Sequence, residues 1–281
     1  MNRLQEKTLE LLRVFVDICN KWDIPYFLVC GSALGAVKYG GFIPWDDDMD
    51  VGLLREDYQR FLAVAPQELP SWCFLQNYQT EPCFPHTFSK LRNSETAFIE
   101  EGVAALPINH GIYLDIFPID GHPSGALEKK GFALRKKWLD WIRFTLIDSP
   151  ETKVQIRNRV LRFMGLHKRV HQAQVALENL FCRYSPRDSQ LWCNYGNWQG
   201  EREYAPRWHY GDGTWVEFEG LPVRVPENYD AYLTQKYGDW RADLPEDMQK
   251  SHHKGVVIDT ERSYKNYVDA VLPKVQNISL Q

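Results

Sequence analysis

The sequence predicts a mixed α/β protein. Three observations carry that prediction. The N-terminus has a clear helical period. Short apolar runs rich in branched and aromatic residues then alternate with helical stretches as far as Asp120. The chain has 281 residues, 44% hydrophobic and 25% charged, enough for a substantial core.

Leu4, Leu11, Phe15, Ile18 and Trp22 recur at helical steps with charges between them, so the chain opens on an amphipathic helix that Pro25 ends. Residues 26–30 read as a buried strand. Gly31-Ser32 turns the chain into a short helix to about Lys38, and Gly40-Gly41 and Pro44 punctuate a loop over 39–45. Residues 48–54 read as a second strand, and 56–65 as a helix closed by Pro66 and Pro70. Further strands are expected over 72–78, 87–91 and 112–116, the last ended by Pro118. Residues 125–147 and 152–184 look helical, and 185–213 is irregular and rich in Trp, Tyr and Gly. A hairpin is expected from 215–218 to 221–225 across Glu219-Gly220, followed by a helix over 226–237. No internal repeat is visible. The expected organisation is a catalytic core over 1–124, a basic helical insertion over 125–184, and an aromatic-rich part over 185–281 packed on the core.

Composition narrows the function. A net charge of -4 predicts no bulk attraction to nucleic acid. Arg3, Glu6, Lys7, Glu10, Arg13 and Asp17 exclude a secretory apolar segment in the first twenty residues. No stretch approaches the roughly 18–20 apolar residues of a membrane span. Six cysteines without C-x-x-C spacing read as reduced thiols, so a cytoplasmic protein is expected.

The informative chemistry lies in residues 31–53. Asp46, Asp47, Asp48 and Asp50 place four acids in five residues, between Trp45 and an apolar run. Acids so close repel one another, and burial raises their pKa; a divalent cation removes both problems. An acidic surface loop is the bland alternative, and the apolar flanks argue against it. If the strand starts at Asp48, alternation puts Asp48 and Asp50 on one face and Asp47 on the other. Asp46 joins that face only if the strand starts earlier. Two such carboxylates suit a hard cation, Mg²⁺ or alternatively Mn²⁺. Asp115 is the best third acid, because a lone carboxylate in an apolar strand is costly unless paired or metal-bound; a turn cap before Pro118 is the competing role. An EF-hand fits poorly, since Val51 stands where its loop needs Gly and Asp57 where it needs Glu.

Gly31 and Ser32, at a helix start, are candidates to seat phosphate oxygens. Lys38, Lys90 and Arg92 are candidate phosphate cations, each equally suited to a surface role. Trp45 is a candidate pocket wall. Trp192, Trp198, Trp208 and Tyr210 could cage a quaternary ammonium, although core packing competes for each. His252 and His253 have no matching zinc partners, and a phosphate contact or a structural role fits them better. Residues 129–171 hold twelve Lys and Arg against three acids. Either that is a solvated helical face or it attracts phosphates, an acidic glycan or lipid headgroups, and Trp138, Trp141 and Ile142 admit peripheral membrane contact.

The pattern Gly31-Ser32, Asp48-x-Asp50 and Asp115 resembles the nucleotidyltransferase superfamily. Within it, the stretch from Gly31-Ser32 to Trp45-Asp46-Asp47-Asp48-Met49-Asp50 resembles the LicD family, which includes bacterial phosphocholine transferases and relatives of the fukutin-type ribitol-phosphate transferases. Residues 114–118, 216–220, 225–229 and 237–240 with His252-His253 are similar to further family signatures, so the likeness spans roughly residues 1–255. It implies a nucleotidyltransferase-like core with a mixed sheet. It also implies transfer of a phospho-substituent, first of all phosphocholine, from a CDP-linked donor to a sugar or glycan hydroxyl, with CMP released. Metal ligation by Asp48, Asp50 and Asp115 follows as an expectation, and the basic residues 129–171 add the inner face of the membrane as an expected location for a cytoplasmic protein. The competing readings are a nucleotidyltransferase that leaves the nucleotide on its acceptor, and a non-enzymatic cation-binding scaffold.

Overall fold

A computed structural model of the chain describes residues 1–147, 149–196, 200–251 and 255–267. The strands are β1 (Phe27–Leu28), β2 (Asp50–Leu54), β3 (Cys73–Gln76), β4 (Ser89–Asn93), β5 (Ala97–Glu100), β6 (Ile112–Gly121), β7 (Leu191–Cys193), β8 (Tyr204–Pro206), β9 (Thr214–Phe218), β10 (Leu221–Val225) and β11 (Gly255–Asp259). The α-helices are α1 (Arg3–Lys21), α2 (Cys30–Tyr39), α3 (Arg55–Glu68), α4 (Ala126–Arg143), α5 (Thr152–Phe163), α6 (Val170–Phe181), α7 (Arg207–Tyr210) and α8 (Tyr229–Tyr237).

The central sheet has the order β1-β2-β6-β4-β3, with β7 on the far end of β6 and β8 beside β7. Only the β2–β6 pairing is parallel; the other pairs of this sheet are antiparallel. The fold is therefore mixed α/β, as expected. All ten residues of β6 are buried, because it runs between β2 and β4 under α1 and α3.

α1 starts on a capping box, in which Asn2 accepts from the Gln5 N–H and Gln5 reaches back to the Asn2 N–H. Its apolar stripe, including Leu11, Leu12 and Phe15, enters the main core. The same core takes in Trp192, Tyr210, Phe218, Val225, Tyr232 and Trp240, so the last third of the chain completes it. A smaller cluster joins Phe132 of α4 to Leu177, Leu180 and Phe181 of α6.

Several boundaries differ from expectation. β1 covers only two residues, and the helix begins at Cys30. β6 passes through Pro118, which the sequence reading took for its end. Pairing with β4 stops at Ile116, so no β4 ladder bond is lost at the proline. The helical stretch expected over 152–184 breaks at Gly165, which has φ 73°. The pairing of β5 with β11 had no sequence signal. The β9–β10 hairpin turns on Glu219 and Gly220 as expected, both at positive φ.

Candidate active site

Turn chemistry decides where the acids go. Asp46 donates its backbone N–H to Ile43 O at 3.0 Å, closing a turn over Pro44-Trp45. The ladder from β2 to β6 begins only with Asp115 N–H donating to Met49 O, at 2.8 Å. Asp46, Asp47 and Asp48 thus lie in a loop ahead of β2, and the alternation expected to separate Asp47 from Asp48 does not operate. Their carboxylate oxygens can come within 4.8 Å of one another. Asp50 is the first residue of β2, and its register partner on β6 is Asp115. Among the described residues the tight three-carboxylate group is therefore 46–48, with Asp50 and Asp115 as a buried pair beside it.

Electrostatics links all of them. Burial drives Asp50 well above the ordinary carboxylate range, and Asp48, Asp115 and Asp46 push it further. Burial pushes Asp115 up to about 6; Lys90 opposes the shift, while Glu100 and Asp48 add to it. This is a hard, all-oxygen donor set whose mutual repulsion a divalent cation would relieve, so the residues present fit Mg²⁺ or Mn²⁺.

The support is made of buried side chains. Ser32 Oγ accepts the Asp50 N–H at 2.7 Å, so the hydroxyl steadies the acid strand. A Cβ on Gly31 would stand 2.9 Å from Asp46 Oδ2, so glycine lets the helix start approach the acid loop. Cys30 holds φ 51°, a left-handed conformation costing roughly 1–2 kcal/mol for a non-glycine residue. Its N–H donates to the Tyr232 hydroxyl at 3.1 Å. The Glu219 N–H donates to Gly40 O at 2.9 Å, tying the β9–β10 turn to the loop before the acids.

Lys90 Nζ stands 3.1 Å from Asp115 Oδ1, 3.6 Å from Glu100 Oε2 and 3.4 Å from the centre of the Tyr113 ring. It belongs to the acid site. Arg92 does not fit the expected phosphate role. It is fully buried, with Nε donating to Gln76 Oε1 and Nη1 to Gly111 O, both at 2.8 Å. Lys38 is drawn to the C-terminal side, 2.9 Å from Asp243 Oδ1. Trp45 stands edge-on to Tyr39 beside the acid loop.

Trp192, Trp208 and Tyr210 do not form the expected cage. Trp192 and Tyr210 pack against each other in the main core, while Trp208 is exposed. Apolar contact outweighs any ligand role for the first two. Trp198, His252 and His253 lie outside the described residues.

Sequence reasoning missed Lys236. It lies buried on α8, donates to Glu203 Oε1 at 2.5 Å, sits 3.7 Å from Cys30 Sγ, and lowers the pKa of Asp50. Nothing local marks it, because Lys on a short helix is ordinarily solvated.

Paired buried carboxylates on adjoining strands, an acid loop and a glycine-serine helix start make up the candidate site. Comparison with known proteins identifies the family. The family model described as "LicD/FKTN/FKRP, nucleotidyltransferase domain" matches residues 23–147. The lipopolysaccharide cholinephosphotransferase LicD of Haemophilus influenzae is 30% identical over 264 residues, covering 87% of this chain and 92% of that protein. Human ribitol 5-phosphate transferase FKRP is 27% identical over 131 residues, 47% of this chain and 22% of that protein. Human ribitol-5-phosphate transferase FKTN is 32% identical over 59 residues, 21% of this chain and 13% of that protein. The chain belongs to the LicD family and is related to these phosphotransferases. Among the described residues no helix is long and apolar enough to cross a membrane.

Proposed function

We propose that this protein is a Mg²⁺-dependent cytoplasmic phosphotransferase that moves phosphocholine, or a close variant, from a CDP-linked donor to a hydroxyl of a glycan or its precursor, releasing CMP. The observation that carries the reading is the likeness to a cholinephosphotransferase over nearly the whole of both chains, with every acid of the motif present and gathered around the start of β2.

Asp48, Asp50 and Asp115 would hold the cation, with Asp46 and Asp47 at its rim. When bound, Mg²⁺ supplies charge neutralisation at the diphosphate and at the leaving CMP. The chain's own residues do the rest. Gly31 gives the donor phosphates close access to the backbone of the α2 start, and Ser32 holds Asp50 in place. Lys90 keeps Asp115 oriented. If Asp48 and Asp50 hold the cation without it, Asp115 is instead the candidate to take the proton of an attacking sugar hydroxyl.

The test is incubation of the purified protein with MgCl₂, choline-labelled CDP-choline and candidate glycan acceptors. The reading predicts CMP release with label on the glycan. Pyrophosphate release from a nucleoside triphosphate, with the nucleotide left on the acceptor, would replace it with the nucleotidyltransferase reading. Donors carrying ethanolamine, glycerol or an alditol, run in parallel, identify the substituent.

A further inference from the structure

α4 and α5 each carry an apolar stripe that nothing in the described structure covers. On α4 it runs through Leu127, Leu134 and Trp138, and on α5 through Ile156, Val160 and Phe163, with Met164 following. Spacings of seven and four on α4, and of four and three on α5, keep each set on one helix face. Each stripe faces away from Phe132 and Arg143 on α4 and from Asn158 and Leu161 on α5, which are buried; on α4 the stripe ends at Trp138, because Ile142 one turn further on is buried. Exposures of 85% for Leu127, 71% for Leu134 and 92% for Phe163 are far beyond the scattered apolar residues of an ordinary surface.

The charges around the stripes are mainly positive. Lys130, Arg135, Lys137, Lys153, Arg159, Lys168 and Arg169 are exposed, while the exposed acids described on the two helices and their starts are Glu128 and Glu151. Asp140 is already held by Lys136 and Arg143.

We infer that the α4–α5 face seats on an anionic phospholipid bilayer. The two stripes enter the headgroup boundary, and the surrounding cations meet lipid phosphates. A second copy of the chain fits less well, because a two-fold contact would bring this cationic face against itself. Nucleic acid offers nothing to bury Phe163 and Leu134. The inference concerns where the enzyme stands and is independent of the reaction proposed above.

The experiment is flotation of the full chain with vesicles of phosphatidylcholine alone and of an equimolar mixture with phosphatidylglycerol, at low and high KCl. Binding to the anionic vesicles at least about tenfold stronger than to the neutral ones, and weakened by salt, is expected. The Ile156→Glu/Phe163→Glu double variant should lose it while keeping its melting temperature, since both side chains are exposed. Absence of wild-type binding to anionic vesicles would overturn the inference. So would equal binding by the double variant, or light scattering showing a wild-type dimer that the double variant splits into monomers. CMP release measured with a water-soluble acceptor is expected to be the same for both proteins, which separates this test from that of the reaction.

Discussion

Asp50 and Asp115 are register partners on parallel neighbouring strands, both buried and both with raised pKa values. Side by side in β2 and β6, the two carboxylates cost the metal-free fold stability. Asp50→Asn is therefore expected to raise the melting temperature without metal, to abolish the rise that MgCl₂ gives the wild type, and to lower activity by about 100-fold or more. Thermal shift with and without MgCl₂, alongside CMP release, checks all three. A variant that keeps full activity with Mg²⁺ present would remove the metal-site model.

The same shifts fix a pH dependence. A carboxyl whose pKa is raised by folding contributes stability below its unfolded value, and that contribution is lost as pH rises through the folded value. For Asp115 the window runs from about 4 to about 6. At the acid end of this window a cation must displace protons from Asp50 and Asp115; above it, Asp115 is already ionised. The gain in melting temperature from MgCl₂ should be several degrees larger at about pH 7.5 than at about pH 5, as read from paired melts.

His110 and His122 act in the opposite sense. Burial drives both imidazoles down to about 4, helped by Arg92 at His110 and by Lys129 at His122. Their contribution to stability is complete above about 6.5 and is lost as pH falls toward 4. His122 also bonds the Tyr195 hydroxyl at 2.8 Å and stacks on Tyr204. The urea midpoint of His122→Gln should start lower at neutral pH and fall less steeply than that of the wild type between about pH 6.5 and 4.

Arg55 and Asp120 make a two-bonded ion pair at 2.7 Å that ties the start of α3 to the far end of β6. Both side chains are buried. Arg55→Met leaves Asp120 without its counter-charge and is expected to cost about 3–5 kcal/mol. Adding Asp120→Leu should recover part of that loss, because the orphaned charge is gone. Urea unfolding of the single and double variants measures both terms.

Gly31→Ala tests the approach of the helix start to the acid loop. The added methyl would meet Asp46 Oδ2 at 2.9 Å, so the carboxylate must move. Activity should fall about tenfold with an increased requirement for Mg²⁺, since small displacements of reacting groups are costly. The melting temperature should change by no more than a few degrees, because the conflict is with one side chain.

The sequence made the acid motif legible because its members lie close together, and it revealed Asp115 because a lone acid stood in an apolar strand. The order of elements through α3 was readable from period and punctuation. The carboxylate geometry was not. Alternation was applied to Asp46, Asp47 and Asp48, whereas the turn at Pro44-Trp45 keeps them out of the strand until Asp50. Composition could not tell a caging aromatic from a core one, and the core claimed Trp192 and Tyr210. Arg92 read as a phosphate cation because its burial depends on Gln76 and Gly111, which only the fold brings near. The buried Lys236–Glu203 pair and the β5–β11 pairing join segments far apart in the chain, and no local pattern announces either.

The order of synthesis gives the shared core a further meaning. The acids emerge from the ribosome early, but Tyr232, which holds Cys30, and the Lys236–Glu203 pair beside it are made late. Phe27 likewise waits for Tyr210 to cover it. A nascent chain that has finished β6 carries every acid of the motif and none of these supports. The supports of the site therefore come only with the last third of the chain. A premature stop beyond Ile147 that spares every acid and the whole family-matched segment still removes the walls that hold those acids in place.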